Sequence, residues 1–500
     1  MAYEYKVGGQ PVSLEVDPSL VAVRFVGSTR GEKAMALSTT GAGPLSTGLD
    51  LELAGMTIVA APGAAHPLGW KAGAETYPVI AALEAQDAVA GAQPVFKLGD
   101  AHAVTCDRVI VGAEPGSDIA PLLADHGLEL LSRENERVLA RIPEGVDIFA
   151  LVGALDADPR TLYAEPDFVV FGTHLPKSAA GAPPAVEAAA AADQYALQIT
   201  GTIAAWAIQT GDPAITVAVL DDGVDVTHRD LAPAVVATYD AIDRDTYQIP
   251  NPSDWHGTAC AGLAVARMAG PGSVAGVGAG ASLVAVRIAQ SHRPRGPWET
   301  SAEIMAHAID WAWSTGKADV ISNSWGGPPS NPVLNAINRA RAEGRGGRGA
   351  VVVVASGNSG GAVMFPASLP DVLAVAASNQ FDEAKTWNSS DNETFWASCL
   401  GPQIDIAAPG VRNRTTDVTG ALGYSTSDYA PAFNGTSSST PLVAGACALV
   451  LSRNPQLSEA QVRHLITATA DKVGQFAYQN GRNDYLGHGR LNVLAAVNAA

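Results

Sequence analysis

From about residue 194 onward, apolar runs of strand length alternate with longer mixed segments. The runs are "ITVAVL" (215–220), "LVAVRI" (283–288), "VISNSW" (320–325), "AVVVVAS" (350–356) and "VLAVAAS" (372–378). Between them lie "HGTACAGLAVARMAG", "SAEIMAHAIDWAWSTG" and "NPVLNAINRARAEG", which carry helical spacing. Strands that are β-branched throughout, without polar alternation, are buried on both faces. The pattern therefore predicts a three-layer α/β domain over 194–500, a mainly parallel central sheet covered by helices. Reactive side chains in such a sheet belong at the carboxyl ends of its strands.

The preceding residues follow other rhythms. Over 1–100, short pieces such as "VSLEVD" and "VAVRFVG" predict a small, mostly β unit of unknown role, with one helical stretch near "YPVIAALEAQDAVAG". Over 101–171 the segments "RVIVGAE", "SDIAPLLADHG", "LELLSR", "RVLARI", "VDIFALVGALDAD" and "TLYAEPDFVV" read as β-α-β-β-α-β, a split βαβ unit. The stretch 172–193, "GTHLPKSAAGAPPAVEAAAAAD", is rich in Ala and Pro and reads as a linker.

Composition adds exclusions. The 500 residues are 47% hydrophobic and 16% charged, which describes a globular chain able to bury a large core. A formal charge of −19 argues against a nucleic-acid partner, which would demand a basic footprint. The one arginine-rich piece, "RARAEGRGGRGA" (339–350), reads as a solvated helix end and turn. Apolar stretches are interrupted before the ~20 residues of a membrane span. The opening "MAYEYKVGGQPVSLEV" lacks the basic and apolar regions of a Sec-type signal, so the expectation is cytoplasmic synthesis, with leaderless secretion left open. Cys106, Cys260, Cys399 and Cys447 match no metal spacing and read as reduced thiols.

Three stretches carry candidate chemistry. The run "ITVAVL" leads into "DDGVDVTHRDL", placing Asp221 at a strand end with Asp222 and Asp225 nearby. Taken alone, this is equally a solvated turn or a cation site. In "DWHGTACAG", His256 precedes a helix of small residues, where the positive helix end discourages protonation and suits a base. In "NGTSSSTPLVAGA" (434–446) a helix is expected to start around Ser439 or Thr440, with Pro441 in its first turn. A hydroxyl before that helix would have backbone N–H groups at hand for developing negative charge. Spacing alone does not choose between Ser437 and Ser438.

"VAVLDDGVDVTHRDL", "HGTACAG" and "GTSSSTPLVAGA", in this order, resemble the three signatures of the subtilisin-like serine proteases, the subtilases. The resemblance covers roughly 194–500, including "NPQLSEAQVRHLITATA" and "GHGRLNVLAAVNA". It implies a serine endopeptidase in which Asp221 orients His256, His256 activates the nucleophile Ser437, and Asn358 of "VVVVASGNSG" donates to the oxyanion. Ser324, Trp325, Gly326 and Gly327 would form one wall of the substrate site, and Ala355, Ser356 and Gly357 the other. Met364 would lie at the pocket base and favour small or medium apolar side chains. The unit at 101–171 resembles the family's inhibitory propeptide, which implies a zymogen cleaved within 172–193 and a propeptide occupying the cleft.

The resemblance also has departures. Asp222 stands where the family has Ser or Thr, and is expected to turn outward. Ser438, Ser439, Thr440 and Leu442 replace familiar neighbours, and 381–398 reads as a surface insertion. Cys260, one helical turn beyond His256, is either a buried filler or a thiol whose modification crowds the histidine. Asp230 matches a position used for structural calcium, although "ARMAGPGSVAGVGAG" offers few side-chain oxygens. No cofactor is required for the chemistry. The expected partners are a peptide or protein substrate, the chain's own propeptide and a separate inhibitor protein. A peptide ligase or macrocyclase, and a silent binding protein on the same fold, are the alternatives.

Overall fold

The computed structural model describes residues 3–27, 29–42, 48–61, 76–99, 101–175, 194–292 and 296–500. The chain forms two compact units. One holds 1–173 with Glu299–Glu303 and Pro328–Pro332; the other holds His174–Trp298, Ile304–Gly327 and Val333–Ala500. Among the described residues no helix is long and apolar enough to cross a membrane.

The first unit contains the expected split βαβ arrangement. Its four-stranded antiparallel sheet orders Tyr163–Pro166, Arg108–Gly112, Arg137–Arg141 and Glu129–Glu134, and its helices are Ala120–Asp125 and Ile148–Asp156. Asp147 starts the second helix by accepting from the N–H groups of Phe149 and Ala150, satisfying two orphan donors. The run "TLYAEPDFVV", read as one strand, is broken. Tyr163–Pro166 stays in this sheet, whereas Val169–Gly172 pairs with Ala101–Val104 in another. Buried Asp167 makes the break, its carboxylate held by Arg108 Nε at 2.9 Å and its carbonyl by the Cys106 thiol at 3.0 Å. The second sheet continues past residue 100: Val169–Gly172, Ala101–Val104, Val89–Leu98, Val16–Phe25, Met56–Ala60 and Leu49–Leu51 are successive neighbours. Helices Arg30–Thr40 and Thr76–Glu84 also belong to this amino-terminal part. Of the expected linker, 176–193 lies outside the described residues.

The second unit is built on a seven-stranded, all-parallel sheet. Its order is Val235–Asp240, Ser282–Arg287, Thr216–Asp221, Val320–Asn323, Val351–Ala355, Leu373–Ser378 and Ile406–Pro409. The five central strands are those the apolar runs predict. Both edge strands escape the pattern, because "VVATYD" is half-exposed and "IAAP" is short. Strand order turns back on either side of Thr216–Asp221, which opens a crevice at its carboxyl end, where Asp221 stands.

Two helices close on the sheet there. His256–Val265 is buried at every position, and Thr436–Arg453 is buried from Thr436 through Leu451. Small residues allow the close crossing: a Cβ on Gly445 would meet Ala264 O at 2.7 Å. The segment expected as a surface insertion at 381–398 is instead folded around a buried cation. Lys385 Nζ donates to Glu393 O at 2.6 Å, lies 3.2 Å from Asp391 Oδ1 and sits over the Trp396 ring. An ammonium so enclosed needs this oxygen shell to offset its lost hydration.

Candidate active site

Asp221 is the last residue of its strand, and His256 the first of its helix. His256 Nδ1 and Asp221 Oδ1 are 2.8 Å apart, and Asp221 Oδ1 also accepts the Asp222 N–H at 2.9 Å. This contact on Nδ1 orients the ring and leaves Nε2 as its second basic position. Burial works against a charged imidazole, but the Asp221 carboxylate, with Cys260 beside it, outweighs burial and raises the His256 pKa well above its ordinary value. The helix-end argument for a depressed pKa thus loses to the Asp221 carboxylate.

Asp222 does not turn outward. It is 2% exposed, its Oδ1 accepting from Gly257 N at 2.7 Å and its Oδ2 from His256 N at 3.1 Å. The helix start draws it in, because the first N–H groups of a helix have no partner within it and its positive end favours an anion. One carboxylate fixes the imidazole and its neighbour fixes the backbone carrying it.

Helix Thr436–Arg453 begins earlier than its sequence suggests, so Ser437 lies within its first turn and Pro441 in the second. Pro441 lacks the N–H that would bond the Ser437 carbonyl four residues back. That carbonyl instead accepts the Ser324 hydroxyl at 3.1 Å and the Cys260 thiol at 3.5 Å. Cys260 Sγ is also 3.7 Å from His256 Nδ1, so one thiol touches both the imidazole and the serine backbone. Ser437 retains 8% exposure, its hydroxyl donating to Ser324 O at 3.2 Å. Ser438 is fully buried and its Oγ accepts from Asn413 Nδ2 at 2.7 Å. Of the two serines, the structure leaves Ser437 the reachable one.

Asn358 follows the strand Val351–Ala355 and aligns on the same helix start. Its Oδ1 accepts the Thr436 N–H at 2.8 Å and the Thr436 hydroxyl at 3.0 Å, which turns its amide NH2 to the opposite side. The hydroxyl of Thr436 also accepts from Gly357 N at 3.2 Å. Gly357 has φ +105, and a Cβ there would meet Met364 Sδ at 2.7 Å; one on Gly326 would meet Met364 Cε at 3.0 Å. Met364 therefore fills the space between the two glycine-bearing segments. Ser324, Trp325, Gly326 and Gly327 follow the strand Val320–Asn323, while Ala355 ends the neighbouring strand and Ser356 and Gly357 follow it.

The cation expected at Asp230 does not fit. Its oxygens accept Ala269 N at 3.1 Å, Val274 N at 3.0 Å and the Tyr429 hydroxyl at 2.9 Å. A shell of donors stabilises a carboxylate and repels a metal ion, so this loop is tied by hydrogen bonds.

Sequence reasoning missed His174 and Leu175, which sit in a stretch read as linker. His174 Nε2 is 3.1 Å from Asp222 Oδ2, and its ring stacks on His256 with centroids 4.7 Å apart at 8°. Leu175 packs with Ala377, Trp396 and Val411. Composition masked both; only their position beside the histidine marks them.

The Subtilase family profile matches residues 212–489, more than half of the chain. The chain is 33% identical over 331 residues to a calcium-dependent protease of Trichormus variabilis, covering 59% of this chain and 48% of that protein. It thus spans about half the length of that relative. A thermophilic serine proteinase from Bacillus sp. (strain AK1) is 32% identical over 368 residues, 73% of this chain and 80% of its own. The crystal structure of fervidolysin from Fervidobacterium pennivorans, a keratinolytic enzyme related to subtilisin, superposes with a TM-score of 0.58 over 78% of this chain and 61% of that one, at 21% identity. That likeness concerns the fold.

Proposed function

Since this chain belongs to the subtilase family, we propose that it is a serine endopeptidase acting through Asp221, His256 and Ser437. The observation that carries the reading is the 2.8 Å contact of His256 Nδ1 with Asp221, beside the start of a helix where Ser437, unlike fully buried Ser438, retains 8% exposure. His256 takes the proton of Ser437 as the serine oxygen attacks the peptide carbonyl. Asp221 stabilises the imidazolium that forms, and the Asn358 amide and the Ser437 N–H receive the oxyanion. Collapse expels the amine, which gains the proton from His256. Water, deprotonated by His256, then releases the acid. Met364 between the two walls favours small or medium apolar side chains in the first pocket.

The residues before the catalytic unit act as a propeptide in this reading. His174 and Leu175, the first residues counted with that unit, lie on Asp222, His256 and the approach to Gly435. Cleavage is expected within 172–193. The calcium dependence in one relative's name finds no ligand set at Asp230.

A fluorophosphonate probe with peptide mapping, and a peptide library, test the proposal. Label on Ser437, absent in Ser437→Ala, with free acids as products, supports it. No labelling indicates a binding protein; joined peptides indicate a ligase. Wild-type protein that stays full length while fully active overturns the propeptide reading.

A further inference from the structure

Lys385 belongs to a closed set of charges beside the serine helix: Lys385 and Arg412 against Asp391 and Glu393. Glu393 is buried, its Oε1 accepting from Arg412 Nε at 2.9 Å and its Oε2 from Trp396 Nε1 at 3.0 Å. Its carbonyl takes the Lys385 ammonium, and the Asp391 carbonyl accepts from Arg412 Nη2 at 2.9 Å. Asp391 Oδ2 accepts the Ser389 hydroxyl at 2.6 Å and Asn379 Nδ2 at 3.0 Å. Charges buried this far persist because each has an opposite partner and further hydrogen bonds. Of the four, Arg412 alone lies outside the 381–398 segment, on the loop after the strand Ile406–Pro409.

That loop turns toward the nucleophile at Arg412. The residue has φ +52, in the left-handed region that glycine enters freely and a residue with a Cβ does not. In this conformation its N–H donates to Asn434 Oδ1 at 2.7 Å. The next residue, Asn413, donates from Nδ2 to Ser438 Oγ at 2.7 Å and to Pro409 O at 2.8 Å. Residues 434 and 438 bracket Ser437 where the helix Thr436–Arg453 begins. Both amide orientations are forced, since the Arg412 N–H needs an acceptor and Pro409 O a donor. Their far ends, Asn434 Nδ2 and Asn413 Oδ1, are buried with no hydrogen-bond partner among the described residues. Unmet buried polar atoms cost stability, so the fold keeps these bonds to the serine turn in preference to others.

We infer that Arg412 is a positioning residue for Ser437: its guanidinium, clamped by Glu393 and the Asp391 carbonyl, holds a left-handed backbone whose N–H fixes Asn434 and with it the serine turn. On the other side Asn358 Oδ1 holds the Thr436 N–H, so the turn is gripped twice. Lys385 acts one step further back, through the Glu393 carbonyl and Asp391. This rests on the peptidase reading and adds to it a link from the 381–398 segment to the attacking oxygen. Arg412 works through Asn434 and not on the substrate, so its loss slows turnover without weakening binding.

The test uses the full chain as wild type, Arg412→Met, Arg412→Gly, Arg412→Lys and Glu393→Gln, with the urea midpoint of each confirming a folded state. Met removes the charge, Gly keeps the N–H and relaxes the backbone, and Lys returns a cation that can face Glu393. In the Met and Gly variants, kcat and the fluorophosphonate labelling rate of Ser437 should fall on the order of tenfold, a part of the hundredfold that a 1 Å misplacement costs. KM should stay within about twofold, as expected when only the reacting geometry is disturbed. Arg412→Lys should recover most of the loss. Glu393→Gln should act in the same direction, and combined with Arg412→Gly should lose little more than the larger single change. Wild-type kcat and labelling in folded Arg412→Met and Arg412→Gly overturn the inference and leave the peptidase standing, even where the urea midpoint falls. A loss undiminished in Arg412→Lys, or losses that add in full in the double variant, overturn the clamp. Should Arg412→Met not fold, Arg412→Gly decides alone. Wild type that neither labels nor cleaves overturns the peptidase reading and this inference together.

Discussion

Replacing Gly445 by alanine sets two effects of opposite sign against each other. Gly445 lies inside the helix Thr436–Arg453, where intrinsic propensity would reward alanine by about 1 kcal/mol. The structure forbids the exchange. The new Cβ would stand 2.7 Å from Ala264 O and 2.9 Å from Gly278 N, and these two atoms are themselves hydrogen-bonded at 2.9 Å. Ordinary contacts to carbon need roughly 3.5 Å or more, and backbone atoms cannot rotate away. Relief requires either losing that hydrogen bond, at about 0.5–1.5 kcal/mol, or parting the two helices at an overpacking cost of about 1–3 kcal/mol. Set against the propensity gain, parting the helices leaves a net destabilisation of up to about 2 kcal/mol. The two helices carry His256 and Ser437, and a shift near 1 Å between reacting groups costs on the order of a hundredfold. We expect Gly445→Ala to lower the urea midpoint and to reduce kcat/KM by about tenfold or more, with slower fluorophosphonate labelling. A variant with raised stability and wild-type kcat/KM would refute the claim that this crossing sets the catalytic geometry.

Asn358→Leu should lower kcat by about a hundred- to a thousandfold with KM little changed, because in the proposed mechanism its amide serves the oxyanion; a matching rise in KM would argue for a ground-state role. The acid limb of kcat/KM should lie above the ordinary histidine value of 6.5, since the raised pKa of His256 means the neutral base is lost as pH falls through that higher value. Asp221→Asn should move that limb down and cut kcat by about ten-thousandfold; a limb at or below 6.5 in wild type contradicts the geometry. The Cys260 thiol is pushed up to about 11 by burial, so alkylation should be slow at neutral pH and quicken as pH rises. A small mercurial should inactivate wild type and spare Cys260→Ala; full activity in the mercurated wild type removes the crowding argument. Pro441→Ala supplies an N–H to the Ser437 carbonyl and should slow turnover by displacing Ser324 and Cys260.

Much of the fold was legible because burial leaves a periodic mark. The five central strands of the large sheet are apolar on both faces, and they fall where their runs predict. The edge strands Val235–Asp240 and Ile406–Pro409 carry no such mark, since half-burial and brevity erase it. Asp167 broke a strand that periodicity had joined, because the break depends on Arg108, which is remote in sequence.

The sequence by itself determined the layered α/β architecture, the order of acid, histidine and serine along the chain, and the residue types the chemistry needs. These are local properties: spacing, propensity and small residues where helices must meet. Only the tertiary structure decided that Asp221 takes the imidazole while Asp222 takes the helix start. It likewise decided that Ser437 rather than Ser438 keeps some exposure, that Asp230 is tied by donors, and that His174 lies on His256. Each of these depends on which groups remote in sequence compete for the same hydrogen bond or charge. Such competition is resolved only when the sheet and its two helices bring them within a few ångströms.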